Sequence, residues 1–218
     1  MDRIDWTTAL LCLGMLAAQL AAVEGQDQGS EEGWTSLFDG ETLSGWEMVK
    51  LRPDSDSTWE VEDGLIVGRG DPSMLYSAKG DYQNFRFRAE LKINDGGNSG
   101  QYFRAAQEPS FGVGYEAQVN STHRDPIKTG SIYTKVHIYE ELVPPDTFFT
   151  QEIEVVDREY RGRIVTAIKV SVDGKVLYEY LDHDRPTRSG HFAFQQHDPG
   201  SVVSIRKIEV IELPPTSD

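Results

Sequence analysis

With 218 residues the chain can bury one sizeable core, as a single large all-β domain or as two small ones. Its 36 acidic against 21 basic residues leave a formal charge of -15. That balance argues against a nucleic-acid partner, because phosphate backbones are gripped by clustered Lys and Arg that release counterions; neutral or cationic ligands suit the chain better. Nine tyrosines, nine phenylalanines and short Val/Ile runs, punctuated by 20 glycines and 10 prolines, favour strands joined by frequent turns.

The apolar run from Ala9 to Val23 is too short and too poorly flanked for a stable membrane span. It reads as a secretory signal over residues 1–25, with Val23 and Gly25 setting cleavage before Gln26; an amphipathic or anchor helix is the alternative. The chain is therefore expected to be secreted or periplasmic. Cys12, the single cysteine, falls inside that run, so the mature chain would hold its fold by core burial without a disulfide. Residues 26–32 read as a polar linker and residues 33–214 as one domain. The sequon Asn120-Ser121-Thr122 reads as incidental.

Within the domain, "WEVEDGLIVG" sets Asp63-Gly64 between two strand-like halves, a two-residue hairpin signal. "FRFRAELKI" alternates strictly, with Phe85, Phe87, Ala89, Leu91 and Ile93 on a dry face and Arg86, Arg88, Glu90 and Lys92 on a wet one. The pliant "NDGGNSG" then leads into a stiff "QYFRA". A two-residue period puts Asn98, Gly100, Tyr102 and Arg104 on one face and Ser99, Gln101 and Phe103 on the other. Phe103 is the natural core residue, so Tyr102 and Arg104 are expected to project from the opposite face, either as a wet strand surface or as a binding surface. "GVGYEAQVN" repeats the pattern: Tyr115, Ala117 and Val119 share one face, Glu116 and Gln118 the other. A retaining glycosidase needs two carboxylates about 5 Å apart. Here Gln118 and Ser121 follow Glu116 where further carboxylates would stand, which disfavours ordinary glycoside hydrolysis.

Asp173-Gly174 marks a second hairpin, and the final strand changes apolar phase between Ile205 and Ile208, which predicts a bulge near Arg206 and Lys207. "QQHDPG" ends another strand with Gln195 and His197 on one face. His197 suits a base, a hydroxyl partner, a metal ligand or a turn cap beside Asp198. None of the five histidines forms a pair at a spacing that announces zinc. Many short strands without a crossover helix predict a β-sandwich or barrel.

Taken in order, "GWTSLFDGETLSGWE", "WEVEDGLIVG", "GGNSGQYFR", "GYEAQV", "TGSIY", "VSVDGK" and "QQHDPGSVVSIRKIEVIEL" resemble the 3-keto-disaccharide hydrolase domain family over nearly all of residues 33–213. The resemblance implies a concanavalin A-like jelly-roll sandwich of two antiparallel sheets. It also implies a carbohydrate substrate already oxidised at C3, whose glycosidic bond is cut by elimination or net hydrolysis. A C3 ketone acidifies the C2 hydrogen, so one base and one oxyanion stabiliser suffice where a glycosidase needs two carboxylates. Carried over by motif, Glu116 or His197 would be the base. Arg104, or a divalent metal ion held partly by Glu116 and a histidine, would stabilise the enolate. Asn98, Gln118 and Gln195 would hold hydroxyls, and Tyr102 or Tyr115 would stack on a sugar face. A non-catalytic, lectin-like module on the same fold is the alternative. "DTFFTQEIEV", where a tryptophan usually stands near Phe148 or Phe149, and an insertion-like "DREYRG" depart from the family's pattern.

Overall fold

The computed structural model describes residues 33–184 and 186–214; the expected signal segment, the linker and Cys12 lie outside them. Among the described residues there are thirteen strands and no helix, hence none long and apolar enough to cross a membrane. In chain order they are β1 (Thr35–Ser36), β2 (Trp46–Lys50), β3 (Thr58–Glu62), β4 (Leu65–Arg69), β5 (Ser73–Ser77), β6 (Asn84–Ile93) and β7 (Ser99–Ala105). Then follow β8 (Tyr115–Val119), β9 (Phe149–Tyr160), β10 (Arg163–Val172), β11 (Lys175–Asp182), β12 (His191–Gln196) and β13 (Val203–Leu213).

All pairings are antiparallel and close two sheets. The larger runs β11-β10-β9-β6-β13-β4-β3, with β1 on β13; the smaller runs β2-β5-β12-β7-β8. The expected all-β sandwich is therefore the fold. Its tight turns follow the local chemistry: Asp63-Gly64 and Asp173-Gly174 both take positive φ, as a two-residue hairpin with the sheet's twist requires. Arg161-Gly162 does the same, so "DREYRG" is the end of β9 and the turn into β10.

The dry face of β6 meets the inner residues of the smaller sheet in one core. Phe87 stacks on Phe192 with centroids 3.8 Å apart, and Phe85 stands edge-on to Phe192 and Phe103. Each such ring contributes about 1.5–3 kcal/mol by leaving water. A second, smaller cluster of Met74, Tyr76, Tyr102, Ala105, Val113 and Ala193 covers the outer face of the smaller sheet; Met74, Tyr76, Tyr102 and Ala193 hold the opposite phase to Leu75, Phe103 and Phe194. The predicted bulge in β13 is present between Ile205 and Lys207.

A second bulge changes the expected site. β12 pairs His191 with Ala105 but Ala193 with Tyr102, so β7 carries one residue more than its partner there. Arg104 takes φ +49 at this point. The extra residue breaks the two-residue alternation and turns Arg104 inward instead of leaving it on the face of Tyr102. Its side chain is fully buried and spans to the larger sheet. The guanidinium donates to Asp157 Oδ1 at 3.1 Å, to Thr166 Oγ1 at 3.1 Å, and through Nε and Nη2 to the Gln83 carbonyl at 2.9 and 2.6 Å.

Candidate active site

β7 and β8 run side by side with Gly100 opposite Gln118 and Tyr102 opposite Glu116. Alternation then sends Glu116 and Gln118 to the outer face of the smaller sheet, two residues apart on one strand. Asn98 arrives from the glycine-rich bend before β7, Gln195 from β12 and His197 from just beyond its end. These five line one polar pocket of about 120 Å³, so the structure brings together five of the eight residues singled out in the sequence. Phe111, Asp125 and Tyr133 complete its wall.

Glu116 lies at the centre of this arrangement. A Cβ at Gly100 would stand 2.5 Å from Glu116 Oε1, so the bare backbone of Gly100 provides the space that the carboxylate fills. The residue keeps part of its surface open to the pocket, but its carboxyl end is desolvated. Burial therefore pushes its pKa up to about 8, aided by the negative charge of Asp125 and opposed by a hydrogen bond from Tyr102. Tyr102 is fully buried, so neither ring face is open to a sugar, in contrast to the stacking role expected of it. Its hydroxyl accepts from Gln195 Nε2 at 3.0 Å and bonds Glu116, linking β12 to β8 beneath the pocket.

Asn98 is held by Gln118, whose Nε2 donates to Asn98 Oδ1 at 2.7 Å. Gln118 Oε1 and Gln195 Oε1 are buried acceptors with no hydrogen-bond partner. An orphaned acceptor costs about 1–3 kcal/mol, which a ligand hydroxyl in the pocket would recover.

His197 stacks on Phe111 and turns Nδ1 to Asp198 Oδ2 at 2.8 Å, which leaves Nε2 as its available nitrogen. Burial alone would raise the Asp198 pKa, but hydrogen bonds from His197, Ser201 Oγ and the Gly200 N–H hold it below the usual carboxylate range. His123 joins this pair, with Nε2 3.7 Å from Asp198 Oδ2. The ligand atoms of His123, His197 and Asp198 lie within 4.8 Å of one another, close enough to hold a metal ion. Yet the Asp125 N–H donates to His123 Nδ1 at 3.1 Å, and burial holds the His123 pKa down. With Nδ1 accepting that bond the neutral ring carries its proton on Nε2, so holding a metal ion there would require the other tautomer and the loss of the Asp125 contact.

The loop that delivers His123 and Asp125 is closed by Asn120. Its amide donates to the carbonyls of Asp125 and Ile127 at 3.0 and 2.7 Å, and its Oδ1 accepts from the His123 N–H at 2.9 Å. Lys128 Nζ fills the same loop, bonded to the His123 carbonyl at 2.7 Å. The sequon asparagine is a buried structural staple.

Two expected site residues lie elsewhere. Arg104 is in the core, as described, and its donors are turned to the larger sheet rather than to the pocket. Tyr115 points inward as well: it stacks on Phe103 at 5.2 Å and bonds Asp182 Oδ2 at 2.9 Å, so its ring is closed to a ligand. Conversely, sequence reasoning passed over Phe111, His123, Asp125 and Tyr133. All four sit in irregular loops where no period assigns a face. Only the crowding of titratable residues in "NSTHRD" gave a signal.

The family described as 3-keto-alpha-glucoside-1,2-lyase-like domain matches residues 33–211. A 3-keto-disaccharide hydrolase of Bacteroides thetaiotaomicron is 32% identical over 87 residues, covering 36% of this chain and 30% of that protein, so the match spans under a third of the relative's length. A solved structure from Parabacteroides distasonis, provisionally assigned as a glycosyl hydrolase, superposes with a TM-score of 0.62 at 19% identity, covering 83% of this chain and 99% of that one. The carbohydrate-binding module CBM66 of Bacillus subtilis superposes with a TM-score of 0.53 at 17% identity, covering 75% and 93%. At these identities the two structures speak for the fold alone.

Proposed function

Because the chain belongs to the 3-keto-alpha-glucoside-1,2-lyase-like domain family, we propose that it cleaves the glycosidic bond of a 3-keto-glycoside, with Glu116 taking the proton from C2. The observation that carries this reading is the desolvated Glu116 carboxyl, its pKa near 8, set among amide groups in a polar pocket. A site that only gripped hydroxyls would have no use for a carboxyl held so far from its ordinary value. A base with a pKa near the working pH combines basicity with a useful ionised fraction.

The balance is simple. The C2 proton passes to Glu116 and the C–H electron pair becomes the enolate of the C3 ketone. Collapse of the enolate forms the C1–C2 double bond and breaks the bond from C1 to the leaving oxygen, which departs with the bonding pair and takes a proton. Water added across the double bond gives net hydrolysis. With Arg104 in the core, the groups available to the enolate oxygen are Asn98 Nδ2, whose amide Gln118 orients, and His197, which Asp198 orients. His197 is also suited to protonate the leaving oxygen. The unpartnered oxygens of Gln118 and Gln195 would accept sugar hydroxyls. The apolar run near the N-terminus supports export to a compartment where extracellular glycosides are met.

The test is turnover of a panel of 3-keto-glucosides by the wild type and by Glu116→Gln. Turnover by the wild type, with binding but no turnover by the variant, is the expected result. If the wild type binds every member yet leaves each intact, with divalent metal supplied, the chain is a binding module.

A further inference from the structure

The row of residues that crosses Gly100 gathers hydrogen-bond acceptors. β8 sets Gln118 opposite Gly100 on one side, and the register of Phe194 on Gln101 carries Gln195 to its other side. Between them, Glu116 Oε1 fills the space that a Cβ at Gly100 would need. Two amide carbonyls and a carboxylate thus stand along one short line across three strands. Gln118 and Gln195 are 1% and 2% exposed, and neither Oε1 has a hydrogen-bond partner. Both amides are oriented from inside the protein. Gln118 donates to Asn98 Oδ1 at 2.7 Å and Gln195 to the Tyr102 hydroxyl at 3.0 Å, so each carbonyl oxygen is turned the other way.

Three acceptors in want of donors have a definite chemical complement. A hydroxyl has one hydrogen to donate, whereas a primary ammonium has three and carries the charge that a carboxylate attracts. The described lining favours that sign: Glu116 and Asp125 are its carboxyl groups, and it holds no lysine or arginine. His197 is its one side chain able to carry positive charge, and that ring turns Nδ1 to Asp198. The formal charge of -15 steers a small cation toward the chain. We propose that Glu116, Gln118 and Gln195 form a binding site for a primary ammonium on a small hydroxylated frame, and that such amines are competitive, dead-end ligands. An ammonium seated there engages the carboxyl that would take the C2 proton and occupies the oxygens that would accept hydroxyls. Inhibition by the amine rests on the proposed reaction; its binding does not.

Two probes that differ by one group test the site: aminopropanediol, whose alkylammonium is charged at neutral pH as lysine is, and glycerol, which has a hydroxyl in its place. Calorimetry on the wild type in amine-free buffers should show the amine bound at least about tenfold more tightly than glycerol, the scale of a charge-assisted bond replacing a neutral one. Burial keeps the Glu116 carboxyl largely protonated at neutral pH and the ammonium favours its ionised form, so binding should release a proton, read as an enthalpy that changes with the buffer. Glu116→Gln should abolish the amine's advantage and leave glycerol unchanged. Gln118→Met should weaken the amine several-fold more than glycerol. Equal affinity of the two probes for the wild type, or no binding of the amine in the millimolar range, overturns the site. An advantage that survives Glu116→Gln reports only the acidity of the whole chain and overturns it as well, as do equal losses in Gln118→Met. With a 3-keto-glucoside that the wild type cleaves, the amine should raise KM and leave kcat unchanged; a lowered kcat at unchanged KM places it elsewhere and overturns the assignment. Wild-type protein that binds the amine but cleaves no 3-keto-glucoside overturns the catalytic reading and leaves the site standing.

Discussion

Gly100 and Glu116 occupy one volume between them: the side chain that the glycine lacks would lie 2.5 Å from the carboxylate oxygen of the glutamate on the neighbouring strand. Gly100 has no positive φ, so its role is steric room and not backbone freedom. Gly100→Ala should therefore displace the Glu116 carboxyl, and it presses on the fully buried Tyr102 ring as well, whose Cε2 the new Cβ would meet at 2.6 Å. Misplacement of a catalytic group by about 1 Å can cost on the order of a hundredfold in rate. We expect a loss of that order in kcat on a 3-keto-glycoside, together with a lowered melting temperature because the buried Tyr102 ring must shift too. A folded variant with full activity contradicts the idea that this glycine sets the carboxyl.

The proposed base must be ionised to act, and burial holds its pKa near 8. Activity should therefore rise with pH through about 8. Asp125 contributes to that elevation by charge repulsion, so Asp125→Asn should move the midpoint of the rise to lower pH. A kcat profile measured at saturating substrate separates this effect from any change in binding. A midpoint unmoved by Asp125→Asn would mean that the two carboxyls do not sense each other.

The same elevated pKa predicts a stability signature. Below pH 4.5, the ordinary value, Glu116 is protonated whether the chain is folded or not. Between there and about 8 the unfolded chain releases the proton and the folded chain keeps it, so the unfolded state binds fewer protons and stability falls as pH rises. The upper bound is about 1.4 kcal/mol per pH unit across that window. Glu116→Gln removes the penalty. Its denaturant midpoint should exceed that of the wild type at pH 9 and converge with it near pH 4. Parallel pH profiles for the two proteins would show that the carboxyl is more solvated than the structure has it.

Arg104 now predicts a stability effect. Removing one partner of a buried, hydrogen-bonded ion pair costs about 3–5 kcal/mol, because the other charge is left uncompensated. Arg104→Ala takes the guanidinium from Asp157, which keeps Thr166 Oγ1, and should lower the unfolding free energy by up to an amount on that scale. Arg104→Lys keeps the charge but loses the fork that reaches Gln83, Thr166 and Asp157 together, and should fall between the two. If Arg104→Lys folds with wild-type stability and is inactive, a direct catalytic role for the guanidinium returns.

Much of this protein can be read from its alternation. β6 declares its dry face in every second residue, the Asp-Gly pairs declare two hairpins, and a phase change declares the bulge in β13. The same period places Glu116 and Gln118 together in the pocket. It fails at Arg104 because a single inserted residue inverts a strand's faces, and nothing about an arginine advertises a left-handed φ. Tyr115 belongs to the phase of Ala117 and Val119, so its inward course follows from the pattern that excludes it from the site. Asp125 and Tyr133 come from loops whose shape is set by side-chain staples such as Asn120, and those contacts have no sequence period.

The staple has a practical corollary for expression. Asn120 is the acceptor of a glycosylation sequon, yet the nitrogen that would carry a glycan spends both its hydrogens on the carbonyls of Asp125 and Ile127. Oligosaccharide attachment and closure of this loop compete for one atom, and a chain modified before it folds cannot bring His123 and Asp125 to their places. A glycosylating host would divide the product into native, unmodified molecules and modified ones with a defective pocket loop, so yield of intact protein should fall as sequon occupancy rises.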